Sequence, residues 1–352
     1  MTKNVRGCGF GLTMMAALGL ACGSSTETLP GEEGGENESV GEATGAETSG
    51  ATEESDSGED EDTGEQPGED ARVVELRVKD FNIPVNETYY ACFEFTFDID
   101  KLAHIVGFEA KIDNAPYVHH YVLTMLDQPS GKSAGYSCFD VEGDLVWAWA
   151  PGQNEYMLPE EAGFLIGDAP GGRVTLRLQV HYNNPLNTPG QIDSSGVDLL
   201  VTDKLRPNNA GTLVFGDVQG ISIPPGQPDY EHVMRCRSGA TANFMDGPIR
   251  VFGSSMHAHE IGSVLWSEQW RDGELVREIN RDEPYLFDSQ HMKIVDFEIQ
   301  PGDEIVNRCI YDSTERTSTT VGGPGTRDEM CWNTITYYPK ISSGFSLCSS
   351  FH

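Results

Sequence analysis

From about Val73 onward the chain is a succession of short alternating segments broken by Gly, Pro, Asn and Asp, and no stretch carries a long, capped apolar stripe at the 3.6-residue period. This texture constrains the fold more than any other feature. Residues 73–78, 90–97, 118–125, 174–182 and 197–201 read as strands, and so do 212–215, 249–252, 263–270, 293–299, 304–311 and 333–338. Many short strands with turn residues between them predict an all-β architecture of antiparallel sandwiches or barrels. The chain of 352 residues is long enough for two such domains. The run Arg206-Pro207-Asn208-Asn209-Ala210-Gly211 is the best boundary, which gives an N-terminal domain over 73–206 and a C-terminal domain over 207–352. No internal repeat is present.

Residues 1–22 stand outside this pattern. Lys3 and Arg6 give a positive start and a mostly apolar stretch runs from Phe10 to Ala21, the layout of a secretory signal. The ending Leu18-Gly19-Leu20-Ala21-Cys22 resembles a bacterial lipoprotein cleavage site, which implies lipidation of Cys22, although Gly19 stands where that pattern usually has Leu. An ordinary secretory signal cleaved nearby is the alternative. The expectation is an exported lipoprotein, periplasmic or on the cell surface, held to the membrane by an N-terminal lipid anchor. No later apolar run reaches the roughly 20 residues needed to span a bilayer.

Residues 23–72 carry 17 acidic residues and a single basic one, Arg72, among Gly, Ser, Thr and Ala. A segment so poor in large apolar side chains cannot offset its ordering entropy, so it is expected to be a disordered tether. It accounts for about half of the formal net charge of −33, so the acidity says little about the folded domains. It does argue against a nucleic-acid partner, which requires basic surface. Of eight cysteines, Cys8 and Cys22 belong to the leader. The remaining six, Cys92, Cys138, Cys236, Cys309, Cys331 and Cys348, read as three disulfides of open connectivity in an exported protein. The competing zinc reading lacks a Cys-x-x-Cys spacing.

The chemistry-bearing residues are five histidines and one methionine. His119 and His120 are adjacent, His181 ends the alternation Val174-Thr-Leu-Arg-Leu-Gln-Val-His, His257 and His259 form a His-x-His, and Met330 lies in Asp-Glu-Met-Cys. In a strand, residues i and i+2 share a face, so His257 and His259 can offer two imidazoles to one ion. Adjacent residues face opposite ways, so His119 and His120 can do so only at a bulge or a strand end. Taken singly, a His-x-His is more often a solvated pair and a Met more often fills a core gap. Grouped, they divide into a three-His set and a two-His-plus-Met set. A thioether is a poor ligand for zinc, magnesium or calcium and a good one for Cu(I). His104, His232, His291 and His352 have no partner at useful spacing and read as surface or internally satisfied side chains.

The words around these residues, His119-His120-Tyr-Val-Leu-Thr-Met, Leu-Gln-Val-His181-Tyr-Asn, Ser-Met-His257-Ala-His259-Glu-Ile-Gly and Asp-Glu-Met330-Cys-Trp-Asn-Thr-Ile-Thr-Tyr-Tyr-Pro, occur in the order found in the copper type II, ascorbate-dependent monooxygenases. The resemblance is to the family of peptidylglycine α-hydroxylating monooxygenase and dopamine β-monooxygenase, and it covers residues 75–350. It implies two antiparallel, jelly-roll-like β-sandwiches, each carrying one copper facing a water-filled cleft. It also implies that His119, His120 and His181 match the electron-supplying copper, and that His257, His259 and Met330 match the catalytic, oxygen-activating one. The disulfides it implies are Cys92–Cys138, Cys236–Cys348 and Cys309–Cys331. The implied activity is hydroxylation of a C–H bond of a small organic substrate by O2, with ascorbate or another one-electron reductant as co-substrate.

Departures from the family limit the substrate. The peptide-hydroxylating branch has an Arg two residues before its His-x-His, where this chain has Ser255. It also uses an Asn and a Tyr after the Met-Cys pair, where this chain has Trp332 and Thr334, with Asn333 offset by one. The ending Met-Cys-x-Asn-x-x-x-Tyr-Tyr-Pro is closer to the amine-hydroxylating branch, without the extra N-terminal domain of that branch. A surface copper-binding or electron-transfer lipoprotein without hydroxylase activity, or a structural adhesin on the same sandwich pair, are the alternative readings.

Overall fold

The computed structural model describes residues 71–139, 142–344 and 346–350. The leader, residues 23–70 of the acidic tether and His352 lie outside them, whereas Arg72, expected in the tether, opens the strand Arg72–Arg77 because it pairs with Val201. Apart from one short α-helix, Ser238–Phe244, and one 3-10 turn, Pro170–Gly172, the regular elements described are strands.

In the first half, a five-stranded sheet runs in the order Tyr136–Ser137, Thr88–Asp98, Arg173–Asn183, Val118–Leu126, Asp144–Trp149. A six-stranded sheet is built around Ala103–Lys111 and Gly196–Thr202. In the second half, a five-stranded sheet is ordered Lys293–Ile299, Ile249–His257, Cys331–Tyr338, Gly211–Asp217, Leu347–Cys348. A four-stranded sheet is ordered Tyr230–Cys236, Glu304–Tyr311, Gly262–Arg271, Glu274–Asp282. Neighbouring strands are antiparallel except at two short edges, where Asn208–Asn209 runs parallel to Ala162–Gly163 and Leu347–Cys348 runs parallel to Val214–Phe215. Asn208–Asn209 thus still pairs with the first half, and the second half's sheet begins at Gly211.

Each half has its own apolar core. Val174, Leu176, Leu178 and Val180 fill the first together with Tyr121 and Leu123, and Leu213, Phe215, Val251 and Ile335 fill the second. The halves also pack on each other. Phe252 and Met292 of the second half belong to the first half's apolar cluster, the Tyr156 hydroxyl lies 2.7 Å from Thr336 Oγ1, and Lys340 pairs with Asp144. The polar parity of Arg173–Asn183 is covered as well: Arg177, Gln179 and His181 are all buried, so both faces of that strand are shielded from water.

Three disulfides tie the sheets: Cys92–Cys138, Cys236–Cys348 and Cys309–Cys331. Disulfides of this kind persist in oxidising, extracytoplasmic compartments. No helix among the described residues is long and apolar enough to cross a membrane.

Candidate metal centre

The three-His set is assembled by strand register. His181 lies directly opposite His120 on one side and Tyr90 on the other. The register then slips: Tyr182 pairs with Val118, which leaves His119 as the extra residue of a β-bulge at the start of its strand. A bulge turns two consecutive side chains toward one side of the sheet. His119 Nδ1 lies 3.1 Å from His120 Nδ1, and His181 Nδ1 lies 3.3 Å from that same atom. Ligands at about 2.0–2.1 Å from a metal and spread tetrahedrally lie about 3.3 Å apart, so this spacing fits one ion. The three donor atoms fall within 4.8 Å of one another.

The rings of this set are held chiefly by stacking. Tyr90 lies flat on His181 with centroids 4.4 Å apart, and Phe287 lies on His119 at 4.2 Å. The outer nitrogens, Nε2 of His119 and of His181, are buried without a hydrogen-bond partner. The nearest charge is Asp288, 3.9 Å from His119 Nε2 and largely exposed.

The second set is held by hydrogen bonds. His257 is the last residue of its strand, and His259 lies beyond the strand end rather than within it. Its backbone follows other partners: Ala258 N–H donates to the Tyr285 hydroxyl and His259 N–H to Glu329 Oε2, at 2.8 Å. His257 Nδ1 lies 2.7 Å from Gln290 Oε1, and the Gln290 amide donates to the Phe287 carbonyl, so the oxygen faces the ring. His259 Nδ1 lies 3.0 Å from the Asp328 carbonyl, which can only accept. Both imidazoles therefore carry their proton on Nδ1 and present Nε2 as a lone pair, the arrangement that outer hydrogen bonds impose on metal-binding histidines.

Met330 precedes the strand Cys331–Tyr338, whose Trp332 pairs with His257. That register ends at His257, so the ladder does not pair Met330 with His259. Glu329 fixes the two backbones: its carboxylate accepts from the N–H groups of His259, Ile261 and Met330. The Tyr311 hydroxyl donates to the Met330 carbonyl at 2.7 Å, and the Cys309–Cys331 bridge anchors the next residue. Met330 is buried.

Burial sets the protonation of the whole cluster. It pushes His119, His257 and His259 down to about 4, with neighbouring imidazoles adding to the fall. His120 and His181 are pushed well below the ordinary histidine value by burial and by the same neighbours. All five rings are neutral at pH 7, the form that binds metal. Burial raises the Glu329 carboxyl to about 7 against the pull of its three N–H donors.

The two sets adjoin. The His120 and His257 rings are 6.1 Å apart, where the family resemblance implies a water-filled cleft. The short segment 287–290 serves both sets, through Phe287 on His119 and Gln290 on His257. The Tyr90 hydroxyl donates to the Pro324 carbonyl at 2.9 Å and closes the other side. The sequence reading gives Tyr90, Phe287, Gln290, Asp328 and Glu329 no role; Asp328 and Glu329 enter it only as part of the word around Met330, and Tyr90 only as the start of a strand. The histidines set aside are satisfied elsewhere: His104 by Asn209 and the Arg206 N–H, His232 by Asp217, His291 by Ser289.

The chain matches known proteins over both halves. Residues 74–189 match the N-terminal domain of the copper type II ascorbate-dependent monooxygenases, and residues 208–351 match their C-terminal domain. A tyramine beta-hydroxylase of Caenorhabditis briggsae is 35% identical over 285 residues, covering 76% of this chain and 48% of that protein. A dopamine beta-hydroxylase of Rattus norvegicus is 33% identical over 303 residues, covering 80% and 48%. A DBH-like monooxygenase protein 1 of Gallus gallus is 31% identical over 290 residues, covering 76% and 47%. The chain spans about half the length of these relatives. With both domain models matched in order over the residues that carry the two ligand sets, the chain belongs to the copper type II ascorbate-dependent monooxygenase family.

Proposed function

We propose that this chain is a copper hydroxylase that uses O2 and ascorbate, or a similar one-electron reductant, on a small organic substrate. His119, His120 and His181 would hold one copper, and His257, His259 and Met330 a second, with 73–206 and 207–352 as the two domains that carry them. The observation that supports this most directly is the convergence of three neutral imidazole nitrogens at metal-ligand spacing beside two histidines whose outer nitrogens are both pinned as donors. The thioether suits the reduced state of copper. The chemistry that copper supplies in such donor sets is one-electron transfer and oxygen activation: a C–H bond becomes C–OH, the second oxygen atom leaves as water, and the reductant provides two electrons alongside two protons.

The chain's own part is positioning and exclusion. The Glu329 carboxylate ties the Met330 and His259 backbones together and the Cys309–Cys331 bridge anchors the next residue, so only the side chain of the weak sulfur ligand is left to order on binding. The 6.1 Å approach of His120 to His257 gives electron transfer a short path between the sets. Phe287, Tyr90 and Trp332 shield the cluster from bulk water. A copper-binding or electron-transfer protein without hydroxylase activity would need no substrate cavity, and one lies against His120 and His257. The deciding experiment is copper stoichiometry with oxygen uptake on ascorbate-reduced protein. Two coppers per chain and uptake matched by hydroxylated product support the proposal; full copper loading with uptake uncoupled from every product favours the binding-protein reading.

We further propose that the chain is exported and anchored through Cys22. The disulfides fit an oxidising compartment. Cys22→Ser is expected to release the protein from membranes, and retention there would remove the anchor from the account.

A further inference from the structure

Against the second ligand set lies a cavity of about 250 Å³ that runs between the two halves. His120 and His257 form one end, and Trp147, Trp149 and Trp332 supply ring walls. An apolar cavity of about 150 Å³ is enough for benzene, so this one holds a ring with a short substituent. Trp332 is seated over the bare backbone of Gly216, where an added Cβ would fall 2.1 Å from the indole Cδ1.

The polar character of the walls is one-sided. Among the described residues, no Asp, Glu, Lys or Arg lines the cavity. Its polar groups are neutral, with Ser255, Thr334, Gln153 and Gln290 among them. Tryptophan faces attract ammonium groups, so the rings alone do not decide the charge of the ligand. The lining does: among the described residues no carboxylate lines the cavity to compensate a cation, and any copper at the adjoining sets would be held by neutral ligands.

We infer that the cavity takes an uncharged, ring-sized substrate, and not an amine or an acid. The inference rests on the hydroxylase reading for the chemistry at the cavity's end, but its walls can be tested without metal. Calorimetric titration of the metal-free full chain with 2-phenylethanol, phenylethylammonium and 3-phenylpropanoate compares one ring carrying three end charges. The alcohol is expected to bind at least tenfold more tightly than either ion. Ser255→Asp is expected to bring the ammonium to within a few-fold of the alcohol. Phenylethylammonium binding as tightly as the alcohol to the unaltered chain would overturn the inference, and so would an ammonium affinity untouched by Ser255→Asp.

The copper-loaded chain then separates this inference from the hydroxylase reading. If the neutral ligand binds and no ring-sized compound is hydroxylated, the hydroxylase reading falls and the cavity inference stands. If product forms with kcat/KM highest on the ammonium, the cavity inference falls and the hydroxylase reading stands.

Discussion

His119 and His181 are held by the faces of Phe287 and Tyr90, and their outer nitrogens have no hydrogen-bond partner; His257 and His259 have both outer nitrogens pinned, by Gln290 and by the Asp328 carbonyl. The same side-chain type is thus positioned by rings in one set and by hydrogen bonds, a buried carboxylate and a disulfide in the other. The difference follows from the donors. Three imidazoles brought together by strand register and one bulge already define a site. Two imidazoles and a flexible methionine do not, because a thioether binds weakly and its stem has several rotatable bonds. The firmer frame is placed where the donor set is weakest.

Substitutions in each set test this difference. The largest effect is expected from Met330→Ala: hydroxylation should fall by more than the roughly 10–100-fold that loss of an outer partner costs, while the three-His copper stays bound. Metal analysis alongside product formation checks this, and turnover at the unaltered rate would remove Met330 from the site. Glu329→Ala comes next. It leaves the buried N–H groups of His259, Ile261 and Met330 without their acceptor, at about 1–3 kcal/mol each before relaxation. Copper affinity at the second set should drop about 10–100-fold, with the first set unmoved in a competitive chelator titration.

Tyr90→Leu tests the stacked set. Ring contact of this kind is worth about 0.5–1.5 kcal/mol, so copper affinity at the first set should fall only a few-fold, and Tyr90→Phe should fall less. A loss as large as that of Glu329→Ala would mean that stacking is no weaker a frame than hydrogen bonding. A last substitution, read as stability and without effect on copper, probes the second half away from both sets. Burial raises the Asp303 carboxyl, but Arg271, the Gln300 N–H and Gln269 outweigh it and hold it below the ordinary carboxylate value. A group lowered in the folded state adds stability above its unfolded pKa of about 3.9, and that stability is lost as pH falls through the folded value. Thermal melts should therefore show an acid-side loss that Asp303→Asn removes, with a cost of about 1–3 kcal/mol at pH 7.

Much of the fold was legible because strands such as 174–182 alternate and turn residues separate the segments. Ala103–Lys111 was not read because it is buried almost throughout and has no clean alternation, and Glu274–Asp282 because it is mostly exposed and polar. The six candidate ligands carried a chemical signature in their types and local words. Their supports did not. Gln290 is 33 residues from His257 and Glu329 is 70 from His259, and a Gln or Glu alone has no pattern that announces a partner so far away. The bulge at His119 was foreseeable only as a condition, since adjacent histidines meet one ion at a bulge or a strand end. His259 falls outside its strand because side chains from distant segments, rather than a ladder neighbour, satisfy its backbone.

The central claim is that two donor sets adjoin and that only one contains sulfur. X-ray absorption at the copper edge of the ascorbate-reduced, two-copper protein tests it most directly. The account predicts a sulfur scatterer belonging to one of the two coppers, lost in Met330→Leu while the imidazole signal of the three-His set persists. A sulfur-free spectrum of the unaltered protein, or one unchanged in Met330→Leu, would contradict it.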